Sequence, residues 1–419
     1  MAKILIFEDS GAENLKPLTW TRPAWGLRCG IVTLAKKIAA AYKDAEIIFH
    51  VRPYLVAAVK DERDVAVVSR RDEAAALEGP LLAINGRILA DGQLAARIPL
   101  AGGDEAFRSG DTIIAARLSS GAAVAEALAG ETIDPAAWAK LPTREVSVPV
   151  VTWPWDLVNE NARQIEADFR RFAPGAEVNG DVHRTAVLEG REQIFIADGA
   201  QVQAGAVLLA ERGPISVAAG AVIMAGAVIE GPASIGPGSR IKFNARIGEG
   251  TTVGPVCKVG GEVEQSILHA YANKQHDGFL GHSYLGAWCN LGADTNTSDL
   301  KNNYANVRVA IEGREVDTGS LFAGLFMGDH SKCGINTMFN TGTTVGVGCN
   351  IFGADFPPKD MPSFTWGGVG GMAEYDFAKF CETAERVMAR REKPLTPAIR
   401  AMLEYVFYQT KPRRLGLLR

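Results

Sequence analysis

The sequence lacks most of the features that settle a protein's class at once. It has no run of about 20 apolar residues, so no segment is expected to span a bilayer. It has no basic surplus. The net charge is −4, which argues against general nucleic-acid binding, because neutralising phosphates takes Lys and Arg in excess. The opening MAKILIFED runs straight into a strand-like stretch without a signal-peptide layout. Cysteine is sparse and scattered (Cys29, Cys257, Cys289, Cys333, Cys349, Cys381), with no Cys-x-x-Cys pair. That usage fits reduced, buried thiols in a cytoplasmic protein. No His-x-His or His-Glu-x-x-His spacing marks a metal site. What remains is an ordinary apolar fraction of 47% in a chain of 419 residues, long enough for two or three domains.

What the sequence does have is glycine, 45 residues of it, much of it in a repeat. From Val217, apolar residues fall every six positions at Ile223, Ile229, Ile235, Ile241, Ile247, Val253 and Val259. Each is followed by small or turn-forming residues. This period is neither that of a helix nor that of a half-buried strand. It suits a coil that turns a corner every six residues and buries one branched side chain per face. Three faces close a coil, and stacked coils bury an apolar column. The pattern resembles the hexapeptide repeat of the left-handed parallel β-helix, and its hand is taken from that resemblance. Counting on, the inward positions are expected at Ile267, Asn273, Phe279, Leu285 and Leu291, and again at Leu321, Met327, Cys333, Phe339, Val345 and Ile351. Residues 295–318 break the pattern. They read as a polar loop with a hairpin whose tip is Glu312-Gly313. A polar loop ejected from a rigid coil is a place where function is expected.

Before the repeat, strand-like runs alternate with helical ones, which suggests a mostly parallel, doubly wound sheet. After it, residues 377–388 and 397–406 carry helical apolar stripes, expected to cap the last coil. The expected architecture is an α/β, Rossmann-like domain over 1–165, a β-helix over 166–368 and a helical segment over 369–419.

In an open α/β sheet, ligands sit at the loops after the strands. The loop after the first strand carries LKPLTWTRP. This resembles the corresponding segment of sugar-phosphate nucleotidyltransferases, which holds a nucleoside triphosphate. The resemblance implies phosphate-binding roles for Lys16, Arg22 and Arg28. The segment WPWDLVNENARQIEADF resembles the family's closing segment, which implies Asp156 and Asn159 as Mg²⁺ ligands. The chain departs from the pattern in three places. Asp9 to Leu15 include only Gly11 where the family has a Gly-rich turn. Ala24 stands where a Lys follows Arg-Pro, and Asn85-Gly86-Arg87 stands where a Gly-Asp supplies a carboxylate.

On the repeat, FLGHSYLGAWCNLGADTNTSDL resembles the acetyltransferase half of the bifunctional N-acetylglucosamine-1-phosphate uridyltransferase / glucosamine-1-phosphate acetyltransferase family. The matching residues are Gly281-His282, Tyr284, Leu285-Gly286, Asn290-Leu291-Gly292-Ala293 and the loop from Thr295. The family's loop Asn appears as Asp299. FMGDHSKCGINTMFNTGTTVGVG resembles its acyl-CoA-binding coils. The resemblance implies a general base, His282. It also implies sugar- and phosphate-binding roles for Lys258, Tyr284, Asn290, Lys301, Asn302 and Asn303. An imidazole is suited to taking a proton from an attacking amine near neutral pH. The implied partners are a sugar phosphate, a nucleoside triphosphate and acetyl-CoA, in a homotrimer. Three functions follow as candidates: a bifunctional transferase, a single-activity enzyme with one half degenerate, or a non-catalytic paralogue that senses a sugar nucleotide.

Overall fold

The computed structural model describes residues 2–173 and 176–417. The first domain is built on one seven-stranded sheet. Its order is Ala66–Val68, Glu46–His50, Lys3–Phe7, Leu81–Asn85, Thr112–Leu118, Glu105–Ser109, Thr143–Glu145. The strand Lys3–Phe7 is apolar on both faces, as a strand covered on both sides must be. Ile4 and Ile6 join one core, while Leu5 and Phe7 join the other. The first four strands run parallel. Thr112–Leu118 runs antiparallel to both its neighbours, so the sheet is mixed rather than uniformly parallel. The physical cause is local. A tight turn with Gly110 at φ +56° closes a hairpin with Glu105–Ser109 and reverses the chain.

The helix Asn161–Phe172 crosses the domain boundary drawn at 165 and leads into the repeat. Beyond it the chain winds as a parallel β-helix with three faces. The expected hexads up to Val259 all lie in one buried column. On one face Val217, Ile235, Val253, Leu268, Leu285, Met327, Val345 and Met361 stack in register. The count after Val259 needs correcting by one residue. Val253 pairs with Leu268, Val259 with Lys274 and Val263 with Leu280, so these face inward, not Ile267, Asn273 and Phe279. Tight corners at Gly260-Gly261 and Gln265 shorten that coil; Gly261 and Gln265 both have positive φ. Leu321 also falls outside the column. It is exposed in the ejected segment, and the column resumes at Leu325–Met327. The hairpin forms between Arg308–Ile311 and Arg314–Asp317.

One inward position is a lysine. Lys274 is buried, and its ammonium donates to the carbonyls of Gly260 (3.0 Å) and His276 (2.8 Å). Burial lowers its pKa to about 8.

The face that carries Thr251–Val253, Ile267–Leu268 and Tyr284–Leu285 is buried on its outer side too, because the first domain packs on it. Ile267, Tyr284 and Phe326 share a core with Leu15, Trp155 and Leu157. Asn161 is fully buried at this junction. It accepts from Gly30 N (2.7 Å) and donates to Gly250 O (2.8 Å) and Thr252 Oγ1 (3.0 Å). The C-terminal helices Phe377–Ala389 and Pro397–Gln409 do more than seal the last coil. Phe380, Met402, Leu403 and Phe407 share one core with Val347 and Phe364 of the last coils and with Trp25, Phe49 and Leu55 of the first domain. The helices therefore tie the two ends of the chain together.

Asn161→Ala strands two buried backbone groups at the junction, Gly30 N and Gly250 O, each costing about 1–3 kcal/mol, while Thr252 Oγ1 keeps the carbonyl of Gly30. Denaturant unfolding is expected to show a loss of about 3 kcal/mol. Proteolysis between the helix ending at Phe172 and the first coils should accelerate.

Candidate functional site

Three places gather chemistry. The first is a corner of the β-helix. His282 follows the strand Phe279–Gly281 and holds a left-handed backbone, φ +42°. One coil later in sequence, Asp299 returns beside it, and His282 Nδ1 meets Asp299 Oδ2 at 2.8 Å. Among the described residues, Nε2 has no hydrogen-bond partner. The imidazole stacks on Phe322 at 4.8 Å between ring centres. Gly281 makes the approach possible: a Cβ there would stand 2.2 Å from Asp299 Oδ2. Glu264 lies on the same side. Burial, and then the charge of Asp299, hold its carboxyl above the usual range. A neutral His with its Nδ1–H given to a carboxylate presents a basic Nε2 to whatever docks outside.

Lys301, Asn302 and Asn303 follow Asp299 after Leu300 and lie in the loop beside this corner. Lys301 Nζ donates to Asn306 O (2.6 Å), and Asn303 Oδ1 accepts from Ala305 N (3.1 Å), so both also brace the loop. Asn302 is exposed. Lys258 and Asn290 are not with them. They sit on a different face, in a ladder that pairs Lys258 with Asn273, Asn273 with Asn290 and Asn290 with Lys332. Tyr284 needs a firmer correction. It is fully buried under the first domain, where its Oη accepts from Arg28 N (3.0 Å) and lies 3.1 Å from His269 Nδ1. The cause is the two-residue corner His282-Ser283 between Gly281 and Tyr284, which moves Tyr284 onto the covered face.

The second place is a cleft of about 770 Å³ at the strand ends of the first domain, lined by Asp9, Ser10, Gly11, Arg87, Arg108 and Asp134 among others. Arg87 forms a bidentate pair with Asp9, at 2.7 and 2.6 Å, and Asn85 Nδ2 donates to the same carboxylate (2.8 Å). The cations expected here lie elsewhere. Lys16 pairs with Glu13 and lies over the Trp20 ring at 3.6 Å. Arg22 pairs with Asp329 of the β-helix, and Arg28 runs beneath the same junction. Asp156 and Asn159 do not make a Mg²⁺ site. The Asp156 carboxylate accepts from Thr152 N (2.8 Å) and Trp153 N (2.9 Å) at the start of its helix, while Asn159 is exposed at that helix's end. Asp156 is a helix cap. Among the described residues, no three His, Cys, Asp or Glu side chains are arranged to hold a metal.

The third place is a partly open cavity between the first domain, the β-helix and the C-terminal helices. It is lined by Arg22, Arg28, His269, Trp288 and His330 among others.

Residues 4–177 match the model of a family described as sugar nucleotidyl transferase. The first domain matches the sugar nucleotidyl transferase family. Among curated proteins, the chain is 32% identical over 105 residues to the bifunctional protein GlmU of Methanocaldococcus jannaschii, covering 25% of this chain and 26% of that one. It is 30% identical over 191 residues to the bifunctional protein GlmU of Methylibium petroleiphilum, covering 45% and 36%. The chain thus spans about a quarter to a third of the length of these relatives. A solved UDP-N-acetylglucosamine acyltransferase from Francisella novicida aligns with 56% of the chain and 79% of its own at 17% identity and a TM-score of 0.32. That score is too low to carry an argument, and the coils described above stand without it.

Asp299 is the partner of His282 that sequence patterning passed over, where it is read only as a departure from the family's Asn. The signal was present, because 17 residues separate it from His282, close to one full coil. The reassignment of Tyr284 is also testable. Tyr284→Phe removes a buried hydroxyl that serves two partners. It should cost about 1–3 kcal/mol of stability and leave the turnover of any reaction at His282 unchanged, as measured by denaturant unfolding beside steady-state rates.

Proposed function

We propose that this chain is a transferase of sugar-nucleotide synthesis whose β-helix moves an acetyl group from acetyl-CoA to the amine of an amino-sugar phosphate. The observation that carries this reading is the 2.8 Å contact between His282 Nδ1 and Asp299 Oδ2 at an open corner of the coil. An amine attacking a thioester must shed a proton. His282 Nε2 takes it as the new C–N bond forms, and Asp299 steadies the imidazolium. The tetrahedral oxyanion then collapses. The C–S bond breaks, and the imidazolium returns its proton to the departing thiolate. Lys301, Asn302 and Asn303 stand in the adjoining loop, where a sugar phosphate needs donors. Lys258 and Asn290, on another face, would serve the same corner only from a neighbouring copy. That arrangement, with Phe322 and Leu321 left exposed beside the corner, supports a homotrimer.

For the first domain, the reading is nucleotidyl transfer from a nucleoside triphosphate to a sugar 1-phosphate. It is supported by the family match over residues 4–177 and by the cleft at Asp9 and Arg87. Arg87 and Arg108 are the cations lining that cleft. Mg²⁺ is the cofactor such chemistry uses, but Asp156 and Asn159 do not fit it, and no step is assigned to it.

The test follows free thiol with acetyl-CoA and a panel of amino-sugar phosphates. His282→Ala is expected to lower kcat by about 10²–10⁴-fold and Asp299→Asn by at least about tenfold. Thiol release unchanged in His282→Ala would overturn the assignment of the base.

A further inference from the structure

Among the described residues, seven buried side-chain nitrogen or oxygen atoms have no hydrogen-bond partner. Three of them, Arg22 Nη1, Arg28 Nε and His330 Nδ1, belong to residues lining the single cavity between the first domain, the β-helix and the C-terminal helices. Buried polar groups are ordinarily satisfied, so such a concentration calls for an occupant. The cavity measures about 470 Å³, within the range of small-molecule sites.

Its charge is uneven. Asp61, Glu62, Arg63 and Lys393 are exposed at the rim and balance one another. Deeper in, Asp329 is already engaged. It takes the Arg22 guanidinium and Thr21 Oγ1 (2.8 Å) on one oxygen and Ala287 N (2.8 Å) on the other. Arg28 has no carboxylate partner among the described residues, and its Nη1 spends itself on the carbonyl of Ile31 (2.5 Å). Arg28 is half-buried, and a guanidinium partly withdrawn from water without a counter-charge is costly. His269 adds a donor. In the tautomer in which Tyr284 Oη, already accepting from Arg28 N, donates to His269 Nδ1, the imidazole carries its proton on Nε2. The opposite wall is flat and apolar. Tyr271 and Trp288 stack at 4.1 Å, His330 lies near-parallel to Trp288 at 6.1 Å, and Met388, Ile399 and Met402 add apolar surface.

We propose that this cavity is a binding site for a nucleoside phosphate, distinct from the cleft at Asp9, with the phosphate held by Arg22, Arg28 and His269 and the base set against Trp288. Residues from 21–33, 58–63, 255–330 and 388–402 line the one cavity, so binding draws the two domains and the helical segment together.

The experiment titrates the full chain with uridine monophosphate, adenosine monophosphate and inorganic phosphate, by calorimetry and by tryptophan fluorescence. A nucleoside monophosphate is expected to bind at least about tenfold tighter than inorganic phosphate. Arg28→Met should weaken both by about tenfold or more. Trp288→Leu should weaken only the nucleotides. Lys393→Glu, an exposed rim change that leaves the core untouched, keeps the test open if Arg28→Met fails to fold, and should weaken both ligands severalfold. Arg108→Ala, in the other cleft, should change nothing. Absence of binding up to about 5 mM would mean a cavity holding water only, and would overturn the proposal. So would affinities untouched by Lys393→Glu and lowered by Arg108→Ala, which would place the ligand in the Asp9 cleft.

Discussion

Everything in this molecule depends on the stacking of one coil on the next. Parallel pairing sets Val217 against Ile235 and Ile235 against Val253, so residues about one coil apart in sequence become neighbours in space. The buried column fixes that register, because a slip of one residue would turn the apolar set outward. The consequence for chemistry is direct. A corner residue meets a corner residue from the next coil at hydrogen-bond distance, with no loop needed to bring them together. His282 and Asp299 meet in this way, as do Tyr271 and Trp288. The scaffold therefore supplies pre-organised pairs, and what varies along it is which pairs carry polar atoms.

The same constraint decides what could be read from the sequence. The hexads from Val217 to Val259 were legible because each inward position is a branched apolar residue held at constant spacing. The coil after Val259 was misread by one residue, because its shortened corners keep the stacking and break the count. Lys274 shows why no apolar pattern could have flagged the change: an inward position is filled by a lysine whose ammonium finds two carbonyls. His282 was legible from its surrounding block. The role of Tyr284 was not, because a block of matching residues says nothing about which face another domain will cover. The cavity was beyond reach for a related reason. Its walls come from four stretches far apart in sequence, and only the docking of the first domain brings them together.

That docking also explains where the expected phosphate ligands went. Arg22 and Arg28 follow the first strand, where a nucleotidyl transferase would use them, yet both run toward the β-helix. Arg22 is drawn to Asp329, and Arg28 is threaded beneath Tyr284. The cleft they vacate is governed by a different guanidinium. Arg87 stands near the position of the family's metal carboxylate and closes on Asp9 as a fork on a carboxylate, a geometry that a lysine could not reproduce. A buried bidentate pair of this kind rigidifies the loop after the first strand. It leaves the cleft short of free positive charge: Arg87 is spent on Asp9 and Arg108 on Glu145, with Asp111 and Asp134 also in the lining.

The two halves are therefore linked by polar contacts as well as by apolar burial. Ile267, Tyr284 and Phe326 give the junction its core, and Asn161, Thr252, Tyr284 and Asp329 fix its register through hydrogen bonds that tolerate little displacement. Tyr284 lies one corner away from His282 in sequence and touches Arg28 in space. The corner His282-Ser283 separates the strand Phe279–Gly281 from Tyr284–Leu285, which packs under the first domain. A single corner thus divides a partly exposed imidazole from a side chain committed to the junction, and the coil keeps the two duties on different faces.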